Sequence, residues 1–221
     1  MPKITHFFLV LLFITCLGKL EGQRFGMGFN AGFILSQLDG DGYTGYDKIG
    51  MRLGLRGQAF ISEKIDFIIE LNWEEKGSKF ESEDPEQSSK IKNRTVGLAY
   101  AEVPLIFRVY HRKRDHLFFE AGASISYLVK NRFTSTNVEE SLENYRSIAD
   151  EFNRSEWNLV LGGGYAFGPR FGLLFRTTIA VNHLYRDLSV LEKLNNLPAD
   201  DDVPIVQLRN YLMSVGAYYN L

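Results

Sequence analysis

The sequence predicts an all-β protein: an eight-stranded antiparallel up-and-down transmembrane β-barrel, with short periplasmic turns and long extracellular loops. Three observations lead there. Apolar and polar residues alternate with a period of two through eight segments, each long enough to cross a bilayer at a tilt. The connections between those segments alternate short and long. The N-terminus has the form of an export signal.

The chain opens "MPKITHFFLVLLFITCLGKLEGQ". Lys3 gives a positive n-region, residues 5–18 are almost unbroken apolar, and small Gly22 suits the last position before a cut. Residues 1–22 therefore read as a cleaved secretory signal peptide, too short and wrongly flanked for a spanning helix. An N-terminal anchor helix is the alternative. Cys16 lies inside this segment, and Phe13, Ile14 and Thr15 before it fit a lipobox poorly. Residues 23–221 then form one barrel domain without cysteine, which excludes a disulfide framework and thiol chemistry. A net charge of -2 offers no basic footprint for nucleic acid. No later apolar run is long enough for a spanning helix, so a membrane location would require a closed barrel.

The first predicted strand, 24–35, carries Phe25, Met27, Phe29, Phe33 and Leu35 on one parity and three glycines with Asn30 on the other. The second, 49–61, sets Ile49, Met51, Leu53 and Leu55 against Arg52 and Arg56. The third, 65–75, sets Phe67, Ile69, Leu71 and Trp73 against Asp66, Glu70 and Glu74. The fourth, 95–110, contains "AYAEVPLIFRVY", where Glu102, Pro104 and Arg108 share the parity opposite Val103, Leu105 and Phe107. A closed barrel has no edge strand to shelter a proline, so Pro104 is expected to mark a bulge or a missing ladder bond. The fifth, 116–130, sets Leu117, Phe119, Ile125 and Tyr127 against Glu120 and two serines. The sixth, 156–167, the seventh, 171–182, and the eighth, 207–221, repeat the pattern, with Arg176 on the polar parity of the seventh. Short connections fall at 62–64, 111–115 and 168–170, and long ones at 36–48, 76–94, 131–155 and 183–206. In the third long connection "VEESLENYRSIADEF" has helical spacing, which favours a short helix over an extended loop.

Alternation alone does not say which face is outside, because a soluble barrel with an apolar interior shows the same period. The polar parity decides it. Arg52, Arg56, Arg108 and Arg176 stand against Asp66, Glu70, Glu102 and Glu120, both signs of charge interleaved with glycine. An eight-stranded interior is just wide enough for side chains to fill, so these residues read as a packed, charged lumen and not an open pore. Glu102 is expected to hold one of the arginines, and Glu102→Leu to cost roughly 3–5 kcal/mol. Aromatics near strand ends, Phe25, Trp73, Trp157, Tyr165, Phe167, Phe171 and Tyr219, read as interface girdles. The alternatives are a soluble periplasmic or membrane barrel for a small apolar ligand or lipid, a small pore, and a lipid-modifying barrel enzyme.

The same strands carry a family resemblance. "YAEVPLIFRVY" (100–110) resembles the "YLEIPLLLKY" strand of the PorT-like outer-membrane barrel family, common in Bacteroidota. "IELNWEEKGSK" (69–79) is similar to its "ELLYSQKGSK" segment, and "GFNAGFILSQL" (28–38) to its first strand. Order and spacing match along 23–221, although Leu221 stands where the family usually ends in Phe. The resemblance implies a Gram-negative outer-membrane barrel in contact with outer-membrane lipid. It also implies an accessory role beside envelope or secretion-machinery proteins.

Enzymatic and cofactor motifs are lacking. The glycines of "LGGGYAFG" lie in a strand and its turn, not a phosphate loop, and His111, His116 and His183 lack metal spacing. His183, Asp187 and Ser189 in "HLYRDLS" are the one candidate cluster, and a triad is recognised by geometry, not proximity in sequence. They read as polar loop residues. "NRT" at Asn93 and "NRS" at Asn153 are chance matches to a glycosylation pattern. The expected protein is non-enzymatic, without catalytic, cofactor or metal residues.

Overall fold

Successive side chains of an extended chain project to opposite faces, and that geometry builds the molecule. The computed structural model describes residues 24–39, 46–81, 93–112, 116–135, 152–184 and 209–221. The strands in chain order are β1 (Arg24–Asp39), β2 (Lys48–Phe60), β3 (Ile65–Glu81), β4 (Asn93–Tyr110), β5 (Leu117–Ser135), β6 (Ser155–Ala166), β7 (Phe171–Ala180) and β8 (Arg209–Asn220). Each pairs antiparallel with its neighbour in sequence, and β1 pairs with β8, so the sheet closes into a barrel. The closing seam runs from Gly28 opposite Asn220 to Asp39 opposite Arg209. Closure abolishes sheet edges, the condition under which a β-structure can cross lipid.

All eight predicted strands are present. β1, β3 and β5 run on to Asp39, Glu81 and Ser135, beyond the predicted ends at 35, 75 and 130. Ladder pairing continues there after the outward positions have turned polar, at Glu75, Lys130 and Arg132. The alternation of hydropathy fades where the backbone geometry does not. The predicted helix of the third long connection and the predicted signal peptide, 1–22, lie outside the described residues.

Pro104 interrupts one ladder. β3–β4 pairing runs through Ile69 opposite Leu105, resumes at Asn72 opposite Glu102, and skips two positions, Glu70 opposite Pro104 and Leu71 opposite Val103, without changing register. On its other side Pro104 stays paired with Ser124. A missing bond, not a bulge, accommodates the proline. The bulge lies higher, where the β4–β5 register shifts between Ala99 and Tyr100. Ala99 pairs with Lys130 and Tyr100 with Leu128, so Val129 is the extra residue. Gly77 in β3 has φ +143°, and a Cβ there would lie 1.9 Å from the carbonyl oxygen of Val96, so a side chain is excluded on both counts. Its N–H donates to Ser36 Oγ at 2.9 Å, and that hydroxyl donates back to the Gly77 carbonyl.

The outer wall is apolar. Phe25, Met27, Phe33, Leu53, Phe107, Val129, Trp157 and Val215 all project outward and are exposed. The interior is largely polar through its middle, with Ile68, Ile106 and Val160 as a small apolar cluster among the charges. It is closed at the short-turn end by an apolar cluster of Tyr110, Phe118, Ala166, Leu174 and Tyr218.

Candidate functional site, a charged and filled lumen

Even-numbered positions of β2 to β4, of β7 and of β5 up to Leu128 point inward, and they bring long charged side chains into a tube without room for bulk water between them. Arg52, Arg56, Asp66, Glu70, Glu102, Arg108, Glu120 and Arg176 are all buried there. The longest connected chain starts at Glu70. Arg176 from β7 grips it bidentately, with Nη1 and Nη2 at 2.7 and 3.0 Å from the two carboxylate oxygens. The same guanidinium donates through Nε to Glu120 at 2.7 Å. Arg108 takes the other oxygen of Glu120 with Nε and Nη2 at 2.9 and 2.7 Å. Arg56 lies 3.7 Å from Glu70 and joins the near end. Fork-to-fork pairing of this kind is the strong, directional form of the ion pair.

Toward the long-loop end, Arg52 meets Glu74 at 2.5 Å and Glu102 at 3.8 Å, and donates to Ser214 of β8 at 3.0 Å. Glu102 accepts from Ser124 at 2.5 Å, and Asn158 donates to Ser124 and Ser126. Glu102 thus meets an arginine, but as the second carboxylate on Arg52. Arg52 is held by Glu74 first, so removing Glu102 leaves no arginine unpartnered. Above this group Lys76 bonds Glu156, which also accepts from Asn210, and the Lys76 ammonium lies 4.0 Å from the centre of the Tyr100 ring.

At the short-turn end, Gln58 donates to Asp66 at 2.6 Å and accepts from Arg56 at 3.1 Å. Arg108 stacks 3.7 Å over Phe118, and Arg56 lies 4.3 Å over Tyr218, which ties the charges to the aromatic floor. Gly172 lets that floor pack: a Cβ there would lie 2.5 Å from the Tyr218 ring.

Glu74, Lys76 and Glu156 belong to the same buried set; the sequence placed Glu74 on the polar parity of its strand, but none of the three was among the expected lumen charges. Their parity carried the signal, since 74, 76 and 156 continue the inward positions of β3 and β6. Among the described residues five buried cations, counting Lys76, face six buried acids, so the lumen is nearly neutral and lacks the single-sign ring of a selectivity filter. An apolar-ligand barrel needs the opposite arrangement, with hydrocarbon inside.

The predicted interface aromatics all face outward. Tyr165, Phe167 and Phe171 form one run at the short-turn rim, with ring centres 5.1 and 5.6 Å apart, and His116 stacks on Tyr165. Phe25 and Tyr219 lie toward the same rim, and Trp73 and Trp157 toward the long-loop rim. His183 Nε2 lies 3.2 Å from Arg209 Nη2, and Asp187 and Ser189 lie outside the described residues.

A family model described as outer membrane protein beta-barrel domain matches residues 19–186. No curated protein gives a significant match. Among solved structures, Ail, the attachment invasion locus protein of Yersinia pestis, is 13% identical with a TM-score of 0.45, over 89% of this chain and 98% of that one. Neisserial surface protein A is 11% identical with a TM-score of 0.46, over 90% and 99%. Outer membrane protein W of E. coli is 12% identical with a TM-score of 0.38, over 92% and 100%. The family match covers most of the described barrel, from β1 to β7, and the chain belongs to the outer membrane protein beta-barrel domain family.

Proposed function

We propose that this outer-membrane barrel is a non-enzymatic structural and interaction protein of the PorT-like, Bacteroidota type. In this reading it is exported by a cleaved signal at 1–22, and its working surface is the rim of long connections. The filled lumen is the observation that carries the reading. Paired charges occupy the tube from Lys76 down to Arg108, and an aromatic floor follows, so that the described residues fill the lumen instead of lining a channel. With the interior committed to packing, interaction falls to the rim that the long connections crown. The family resemblance supports an accessory role in envelope assembly or secretion. Affinity capture from native membranes after crosslinking in cells tests it. Recovery of envelope or secretion-machinery proteins is expected, and recovery of none would refute the accessory role. Planar-bilayer recording tests the plug: only baseline current is expected, and steady conductance overturns it.

A further inference from the structure

The bulge at Val129 does more than relax the sheet. Below it, the even positions of β5 point inward, as Ser124, Ser126 and Leu128 do. The extra residue reverses the parity, so Lys130 and Arg132 project outward and are exposed. A bulge re-aims side chains in this way. Both cations line one concavity of about 250 Å³ with Lys48 and Glu75, above Trp73. Among the described residues neither Lys130 nor Arg132 has an ion-pair partner, and Lys48 donates only to the adjacent Ile49 carbonyl.

The register fixes what lies beneath. Lys130 is opposite Ala99, which is opposite Glu75, two residues above Trp73. Trp73 lies in one row with Leu53 and Ala101, and Ala31 is opposite Leu53. These residues and the row below line a second hollow of about 600 Å³ on the lipid-facing wall, floored by the small residues Ala31, Gly54 and Ala101 and flanked by Phe29 and Leu55. The two hollows share Trp73, so a cationic cup at the rim stands directly over an apolar groove in the membrane wall.

We propose that this face of β1–β5 binds one phosphorylated glycolipid of the outer leaflet, its phosphate at Lys48, Lys130 and Arg132 and an acyl chain in the groove below Trp73. Cations at headgroup level complement the phosphate, and the groove removes an acyl chain from its neighbours without cost in exposed apolar surface. A soluble anion would use the cup but has no need of the groove. A phosphorylated lipid uses both. The assignment rests on the long-connection rim facing the outer leaflet.

Native mass spectrometry of the folded full chain in mild detergent, with diphosphoryl lipid A as the probe, tests this. Retention of one lipid A is expected. The exposed pair K130Q/R132Q should lose about thirty-fold in affinity, and the groove-filling Ala101→Phe should also weaken retention. A heat-modifiable gel shift identifies variants that have folded. Equal retention by the folded double variant overturns the site, as does equal retention of dephosphorylated lipid A. Displacement by millimolar inorganic phosphate, with no effect of Ala101→Phe, assigns the cup to a free anion and overturns the lipid. Orientation is read separately with Lys130→Cys on intact cells: labelling by an impermeant thiol reagent supports it, and protection overturns the rim assignment whatever the binding result.

Discussion

Glu120 holds two guanidinium groups with one carboxylate, Arg176 on one oxygen and Arg108 on the other. Its loss leaves Arg108 buried without that carboxylate, while Arg176 keeps its bidentate grip on Glu70. Breaking one buried pair costs about 3–5 kcal/mol, so Glu120→Leu should fall within that range, read as a lowered urea midpoint in lipid vesicles. Glu102→Leu should cost clearly less, because Arg52 keeps Glu74 at 2.5 Å. Equal midpoints for the two variants would refute the pairing described. The sequence made the inward position of both acids legible, since parity alone assigns it. It did not say which arginine each would meet. Partners such as Arg176 and Glu70 are 106 positions apart and come together through the curvature of a closed sheet, which no local pattern encodes.

Strand character was legible almost residue by residue, because the outward positions must be apolar wherever they touch lipid. The one-residue slip at Val129 was not, since apolar Val129 followed by charged Lys130 continues the alternation as an outward–inward pair would, although both face outward. Deleting Val129 should restore strict alternation and turn residue 130 inward. A single cysteine at 130 should then change from reactive to protected, a clean assay because the chain's one cysteine lies in the expected signal segment. Gly77 offers a second test on β3. Its positive φ and the 1.9 Å approach of Val96 predict that Gly77→Ala destabilises the barrel by about 1–3 kcal/mol, measured by the same urea midpoint.

The strands differ in height. β3, β4 and β5 have 17, 18 and 19 residues, against 12 and 10 in β6 and β7. A tilted strand advances about 2.5 Å per residue along the barrel axis, and the apolar band is about 25 Å tall. β7 therefore just crosses the hydrocarbon, while β3–β5 stand well above it as a wall on one side. The charge lattice is deep inside this asymmetric cylinder, where salt screens little. Raising sodium chloride from 0.1 to about 1 M should leave the unfolding midpoint nearly unchanged, and a large fall would show that water and ions reach the lumen.

The lattice also constrains the order of biogenesis. Arg176 on β7 is satisfied by acids on β3 and β5, and Arg52 on β2 reaches Ser214 on β8, 162 positions away. A partly zipped sheet would present these charges bare to hydrocarbon, where each is costly. The last hairpin must therefore dock before the middle of the chain can settle in the bilayer, so insertion and closure are one cooperative event with a late commitment step.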